Sequence, residues 1–200
     1  MAVLLVGAGK MAQDYFEVLK KLNVTTKVIC RTKHSADYFY NLTGESVIYG
    51  GIDNAIKKND KLPKNAIIAV SIENLAKVSM RLMKLGIKNL LIEKPGGVNI
   101  GELKKLYTFS QKMKSNIYIA YNRRFYESVF EAEKIIKKDG DIKSVFFDFT
   151  ELSDSISKLD YNTDVKKQWL LGNSSHVIDL VFFICGRPKT WKSFNQGSLD

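Results

Sequence analysis

Gly7-Ala8-Gly9-Lys10-Met11-Ala12 lies between an apolar run, Ala2–Val6, and a segment whose apolar residues recur at helical spacing. Each residue type has a physical use there. A first glycine permits a tight turn, and a second lets backbone amides approach a pyrophosphate. The small Ala12 lets the helix lie close on the strand, and the helix N-terminus adds amides and a partial positive charge. Set between strand and helix, the pattern reads as a dinucleotide fingerprint rather than an ordinary glycine turn. Gly7, Ala8, Gly9, Lys10, Met11 and Ala12 are therefore cofactor-binding candidates.

The next strand ends Ile29-Cys30-Arg31-Thr32-Lys33. An NAD site usually carries an acid there for the ribose 2′-hydroxyl. Two cations and a hydroxyl stand in its place, and Arg31, Thr32 and Lys33 suit the 2′-phosphate of NADP(H). NADP(H) is expected ahead of NAD(H), and a solvated basic turn is the plainer alternative. Later, Lys94 follows an apolar strand and precedes Pro95-Gly96-Gly97. His176 follows Asn173-Ser174-Ser175, which read as helix-capping residues and put the imidazole in a first turn. Asp179, three residues on, shares that helical face and can accept from the imidazole or from a backbone group. The residues alone leave His176 open between an acid/base group and a core histidine satisfied by Asp179.

The elements that must carry these groups alternate. Strand patterns at Ala2–Val6, Thr26–Cys30, Ser46–Tyr49, Ala66–Ser71, Asn89–Glu93 and Asn116–Ala120 are separated by helical ones. The helices are expected from Met11 to Leu22, at Ser35–Leu42, at Asp53–Lys58, along Leu75, Val78, Leu82 and Leu85, and at Gly101–Lys114. Continuous apolar strands between helices imply a parallel sheet covered on both faces. Residues 1–120 are thus expected to form a Rossmann-type, doubly wound α/β domain. Residues 121–200 have another texture and read as an incomplete α+β substrate domain. A helix along Phe125, Val129, Ala132, Ile135 and Ile136 is followed by a strand-like Ser144–Thr150 and a polar loop or lid, Glu151–Lys167. A buried helix, Trp169–Cys185, and a strand begun at Thr190–Phe194 complete the expectation.

Four segments together resemble the Gfo/Idh/MocA family of sugar-type oxidoreductases: the glycine fingerprint, Glu93-Lys94-Pro95, Tyr121-Asn122-Arg123-Arg124-Phe125 and His176-Val177-Ile178-Asp179-Leu180. The resemblance runs the length of the chain. It implies hydride transfer between a nicotinamide and a secondary alcohol or ketone of a sugar, nucleotide-linked sugars included. It implies that Lys94 meets the substrate hydroxyl and the nicotinamide region, with Glu93 and Pro95 fixing its loop, and it favours His176 as a second catalytic or substrate-binding group. By the same resemblance Asn122, Arg123 and Arg124 line the nicotinamide and substrate side of the cleft, Asn173 and Asp179 stand on the substrate side, and Ser71, Ile72 and Asn74 pass the cofactor. Trp169 lies where the family often has a Trp near the cofactor; as a plain alternative it anchors the last helix.

Two features depart from the family pattern. Many active members carry an Asp four residues before the histidine, and here that position is Gly172. Tyr121 could then supply a phenolic proton instead. Members also continue into a longer open sheet, so the chain is expected to be a short or truncated form, or one completed by a partner subunit. An unpaired strand and an exposed apolar face favour a homo-oligomer.

Composition bounds the alternatives. In 200 residues, 45% hydrophobic content excludes disorder, and 13 Gly with 3 Pro exclude collagen-like or low-complexity character. The net charge of +10 suits an anionic ligand, yet no stacking-aromatic, zinc-finger or recognition-helix pattern supports nucleic-acid binding. Cys30 and Cys185, inside apolar segments, read as free thiols, with no metal site. Without a signal-peptide pattern or an apolar run long enough to span a bilayer, a cytoplasmic setting is expected. A catalytically inactive or regulatory nucleotide-binding protein is the alternative to an enzyme.

Overall fold

A computed structural model describes residues 1–57, 62–161 and 163–194. Six strands, β1 (Ala2–Val6), β2 (Thr25–Ile29), β3 (Val47–Ile48), β4 (Asn65–Ile68), β5 (Asn89–Ile92) and β6 (Asn116–Ile119), form one sheet. Their order is β3-β2-β1-β4-β5-β6, with every neighbouring pair parallel. Between them run α1 (Lys10–Lys21), α2 (Lys33–Thr43), α3 (Gly51–Lys57), α4 (Ile72–Lys84) and α5 (Ile100–Met113). The expected helix at Asp53–Lys58 is α3, although Lys58 lies outside the described residues.

The central strands β1, β4 and β5 are mostly apolar because both faces are covered. On β1, Leu4 and Val6 enter one core with Ile68, Leu75, Leu82 and Leu106, while Val3 and Leu5 enter the other with Phe16, Leu19 and Phe39. Side chains alternate across a strand, so one five-residue run serves two cores. Phe16 and Phe39 meet edge to face at 5.6 Å, joining α1 to α2. Each fully buried large side chain contributes about 1.5–3 kcal/mol over its exposed state.

Beyond β6 the chain makes a 3-10 turn at Asn122–Phe125, then α6 (Glu127–Asp139), α7 (Ser153–Ser157) and α8 (Thr163–Lys167). A π-helical turn at Leu170–Ser174 leads into α9 (Ser175–Cys185). Several expectations fail here. Ser144–Thr150 has no regular secondary structure, and Phe146 is 91% exposed. Phe147 and Phe149 still stack at 6.4 Å. Alternation needs a neighbouring strand to take its amides and carbonyls, and no described segment supplies one. Thr190–Phe194 is likewise no strand, with Trp191 and Phe194 exposed.

The polar stretch expected as a loop or lid contains α7 and α8. The helix expected at Trp169–Cys185 is divided by the π turn, and only Ser175 of α9 is buried, against the expectation of a wholly buried helix. Its apolar composition states what it can bury, and the described elements leave most of its residues half-buried and Phe182 and Phe183 exposed. Among the described residues no helix is long and apolar enough to cross a membrane. Cys30 and Cys185 are free thiols, Cys30 buried and Cys185 half-buried.

Candidate active site

β2 and β4 flank β1, and the chain leaves the sheet in opposite directions on its two sides, opening a crevice at the C-terminal strand ends. A cleft of about 490 Å³ lies there, lined by Gly7, Ala8 and Gly9 after β1, by Arg31, Thr32 and Ser35 after β2, and by Ser71 and Asn74 after β4. Gly7 adopts φ +127°, and a Cβ there would collide with the Ala69 carbonyl oxygen, so the turn admits only glycine. Gly9 precedes α1 with φ −81°, and a Cβ on it would meet no atom within 4 Å. That space lies in front of the α1 N-terminus, whose first turn carries no acid and whose cap residue has no side chain. Free amides, a positive dipole end and room for an anion fit a pyrophosphate.

The rest of the fingerprint divides by role. Ala12 is fully buried beneath the turn, Met11 is exposed, and Lys10 donates to Asp14 at 2.8 Å on the outer face of α1. Thr32 caps α2 by accepting from the Ser35 amide at 3.2 Å. Lys33, the first residue of α2, is exposed and does not line the cleft. The cleft also contains groups that the sequence reading did not assign to a site: Gly50 to Asp53, and Lys77, Val78 and Arg81 of α4. Arg81 is ion-paired with Asp53, tying α4 to α3. Asn74, Lys77, Val78 and Arg81 recur at helical spacing, a pattern legible in advance.

The second cluster stands at the ends of β5 and β6. Glu93 accepts from the Tyr15 hydroxyl at 2.6 Å, so α1, which begins at the glycine turn, also braces the lysine loop. Burial, with Glu93 beside it, pushes the Tyr15 phenol up. Lys94 Nζ donates to the Gly172 carbonyl oxygen at 2.8 Å. Burial lowers the pKa of Lys94, the Arg123 charge adds to that, and Glu93 opposes it. His176 is lowered from 6.5 to about 4, first by burial and then by the charges of Lys94 and Arg123. Its Nδ1 is buried without a hydrogen-bond partner. Tyr121 meets the imidazole edge-on at 5.6 Å, and burial pushes its phenol up. The group therefore holds a neutral imidazole, a protonated phenol and a lysine that releases its proton more readily than usual.

Two expected contacts differ. Asp179 does not serve His176: Arg124 Nε donates to Asp179 Oδ2 at 2.7 Å and a second guanidinium nitrogen bonds Oδ1. A planar fork facing a carboxylate outcompetes a single imidazole N–H. Arg124 also stands 5.1 Å from the Phe183 ring and 5.9 Å from that of Tyr121, so the pair braces the 3-10 turn against α9. Ser174, the residue before α9, makes no side-chain cap. Glu151 takes it instead: its Oε1 accepts from Ser174 Oγ and from Asn173 Nδ2 at 3.2 Å, and its Oε2 from Trp169 Nε1 at 2.8 Å. Tyr161 packs edge-on against Trp169 at 5.7 Å. Glu151 escaped the sequence reading because a lone acid in a polar stretch carries no local signal. Ile72 turns toward the π turn near Gly172 rather than lining the cleft, and Asn122 is exposed.

A parallel sheet of order 3-2-1-4-5-6 with a glycine turn at its switch point is the Rossmann-type dinucleotide architecture. The solved structures with this fold that the chain resembles include several dehydrogenases and a Gfo/Idh/MocA family oxidoreductase. One is the WlbA dehydrogenase from Bordetella pertussis, solved with NADH and UDP-GlcNAcA (TM-score 0.74, 11% identity, 93% of this chain and 59% of that one). Another is a Gfo/Idh/MocA family oxidoreductase from Vibrio cholerae (TM-score 0.59, 16% identity, 69% of this chain and 44% of that one). A third is GenD2 from gentamicin A biosynthesis with NAD (TM-score 0.59, 20% identity, 68% of this chain and 38% of that one). At these identities the likeness is one of fold, and the chain spans 59% or less of the length of these three structures. No protein-family model matches the chain, and no curated protein matches its sequence.

Proposed function

We propose that the chain is an NAD(P)-dependent oxidoreductase of the Gfo/Idh/MocA family. It moves hydride to or from a secondary alcohol or ketone of a sugar, nucleotide-linked sugars included, with NADP(H) the favoured cofactor. One observation carries the reading: the glycine turn and the half-buried Lys94 amine stand at the same edge of one sheet, after β1 and β5, with only β4 between them. Two strand spacings, roughly 10 Å, separate a pyrophosphate cradle from an amine of altered basicity.

In this reading residues 1–120 hold the dinucleotide, and 121–200 supply the substrate wall and a surface for self-association. The amides of Gly7 to Gly9 and the α1 N-terminus bind the pyrophosphate, Arg31 and Thr32 take the 2′-phosphate with Lys33 nearby, and Ser71 and Asn74 flank the cofactor. A bound nicotinamide supplies the hydride acceptor or donor. Lys94 Nζ takes the proton of the substrate hydroxyl in oxidation and returns it in reduction. His176, neutral, orients that hydroxyl through Nε2, its Nδ1 being buried, and Tyr121 donates a hydrogen bond. Trp169 stands near the cofactor, Asn122 and Arg123 line the nicotinamide and substrate side of the cleft, and Arg124, Asn173 and Asp179 shape the substrate side, Arg124 and Asp179 through their mutual brace.

The test is a titration with NADPH and, separately, NADH, followed by tryptophan fluorescence and then by turnover of a panel of nucleotide sugars. Tighter NADPH binding with turnover supports the proposal. Binding without turnover favours the regulatory alternative, and failure of both nucleotides to bind overturns the proposal. Lys94→Met is expected to abolish turnover and spare nucleotide binding; retained turnover removes Lys94 from its role.

A further inference from the structure

Lys94 reaches across 78 residues of sequence to donate to the Gly172 carbonyl, and among the described residues it makes no ion pair. The groups around it are accounted for. Glu93, its chain neighbour, is hydrogen-bonded by Tyr15, and the Asp179 carboxylate of α9 is held by Arg124. Arg123 from the 3-10 turn and His176 from α9 bring positive or neutral groups, and Tyr121 a phenol. Gly172 sits in the π turn, a widened turn of helix of a kind frequent at functional sites, and a backbone carbonyl has two lone pairs with which to accept.

We infer that the Gly172 carbonyl is a positioning group for Lys94, holding the amine in the site in both of its protonation states without a carboxylate bonded to it. A carboxylate partner stabilises the ammonium and opposes loss of its proton. A carbonyl still orients the nitrogen after deprotonation, because the neutral amine keeps N–H bonds to donate, more weakly than the ammonium but to the same acceptor. The lowered pKa of Lys94 agrees with such a partner. The consequence for catalysis, a lysine poised as proton acceptor, rests on the oxidoreductase reading; the positioning itself does not.

The experiment is competitive acetylation of the 200-residue chain across pH, without nucleotide, with each lysine read by mass spectrometry. Wild-type Lys94 is expected to titrate below the exposed lysines as a group; a midpoint no lower than theirs overturns the inference. Gly172→Ala keeps the carbonyl and is expected to leave that midpoint unchanged. Gly172→Asp puts a carboxylate on the residue that the amine bonds, and a Cβ there meets no atom nearer than Ile72 Cδ1 at 3.7 Å. The Asp variant is expected to raise the midpoint by one unit or more, so that labelling of Lys94 at a fixed pH below it falls about tenfold or more. No movement in the Asp variant, or an equal movement in the Ala variant, also overturns the inference. Circular dichroism checks that each variant is folded, and if the Asp variant is not, the wild-type and Ala midpoints still decide. Nucleotide binding plays no part, so its failure speaks only against the oxidoreductase reading.

Discussion

Two glycines, two residues apart, are expected to respond to alanine in opposite ways. Gly7→Ala imposes a side chain at φ +127°, at a cost of about 1–3 kcal/mol for a sparsely populated backbone state. Its Cβ also falls on the Ala69 peptide group, with the carbonyl carbon 2.8 Å away. Relief requires the ends of β1 and β4 to part, which threatens the Ala69 N–H bond to Val6 O at 2.8 Å and the Gly7 N–H bond to Ile29 O at 2.9 Å. Each such bond is worth about 0.5–1.5 kcal/mol, so with the backbone cost the total is ~2–6 kcal/mol. For a chain of this size, at about 2–4 °C per kcal/mol, that corresponds to a fall in Tm of roughly 4–24 °C. Gly9→Ala meets no atom and keeps an ordinary φ, so its stability changes by less than about 1 kcal/mol. Its methyl nevertheless occupies the space before the α1 N-terminus, and nucleotide affinity is expected to fall at least tenfold. Urea and thermal unfolding give the stabilities, and NADPH titration the affinities. A Gly7→Ala variant as stable as wild type, or a Gly9→Ala variant that unfolds as readily as Gly7→Ala, refutes the reasoning.

Other expectations concern charge and anchoring. His176 is lowered to about 4 in the folded chain from an ordinary 6.5, so the unfolded chain binds the extra proton between these values. Its contribution to stability is complete above about 6.5 and is lost as pH falls toward 4; His176→Gln is expected to flatten that slope in urea midpoints taken across the window. Arg31→Ala, removing a cation from the cleft, is expected to weaken NADPH binding about tenfold and leave NADH binding nearly unchanged, the loss of one charge-assisted bond; equal losses would count against a 2′-phosphate contact. Glu151→Ala frees Trp169, Asn173 and Ser174 together. It is expected to shift the tryptophan emission and speed amide exchange at 170–174, with a global destabilisation of no more than about 1 kcal/mol because the carboxylate is exposed.

The sheet was legible because its signals are local. A strand buried on both faces must be apolar at every position, and β1, β4 and β5 are short apolar runs bounded by polar or glycine residues. The glycine turn was legible for the same reason, since the steric demand of Gly7 and the open space at Gly9 fall on single residues in a fixed setting. Lys94 could be placed at a strand end, and His176 near the start of a helix. The strand pattern of Ser144–Thr150 was misleading, because alternation records a capacity to pair and the described chain offers that segment no partner.

Tertiary structure decided which partner each polar group took. From sequence, Asp179 is three residues from His176 and 55 from Arg124, yet the guanidinium takes it. Lys94 meets the backbone of a residue 78 positions away, an acceptor that every residue carries and that no composition or spacing can single out. Glu151 likewise gathers Trp169, Asn173 and Ser174 from across the chain. Periodicity constrains what a segment can bury, and so it specifies the layers of the fold. Hydrogen-bond partners depend on where those layers bring the ends of distant elements, and that geometry exists only in the folded chain.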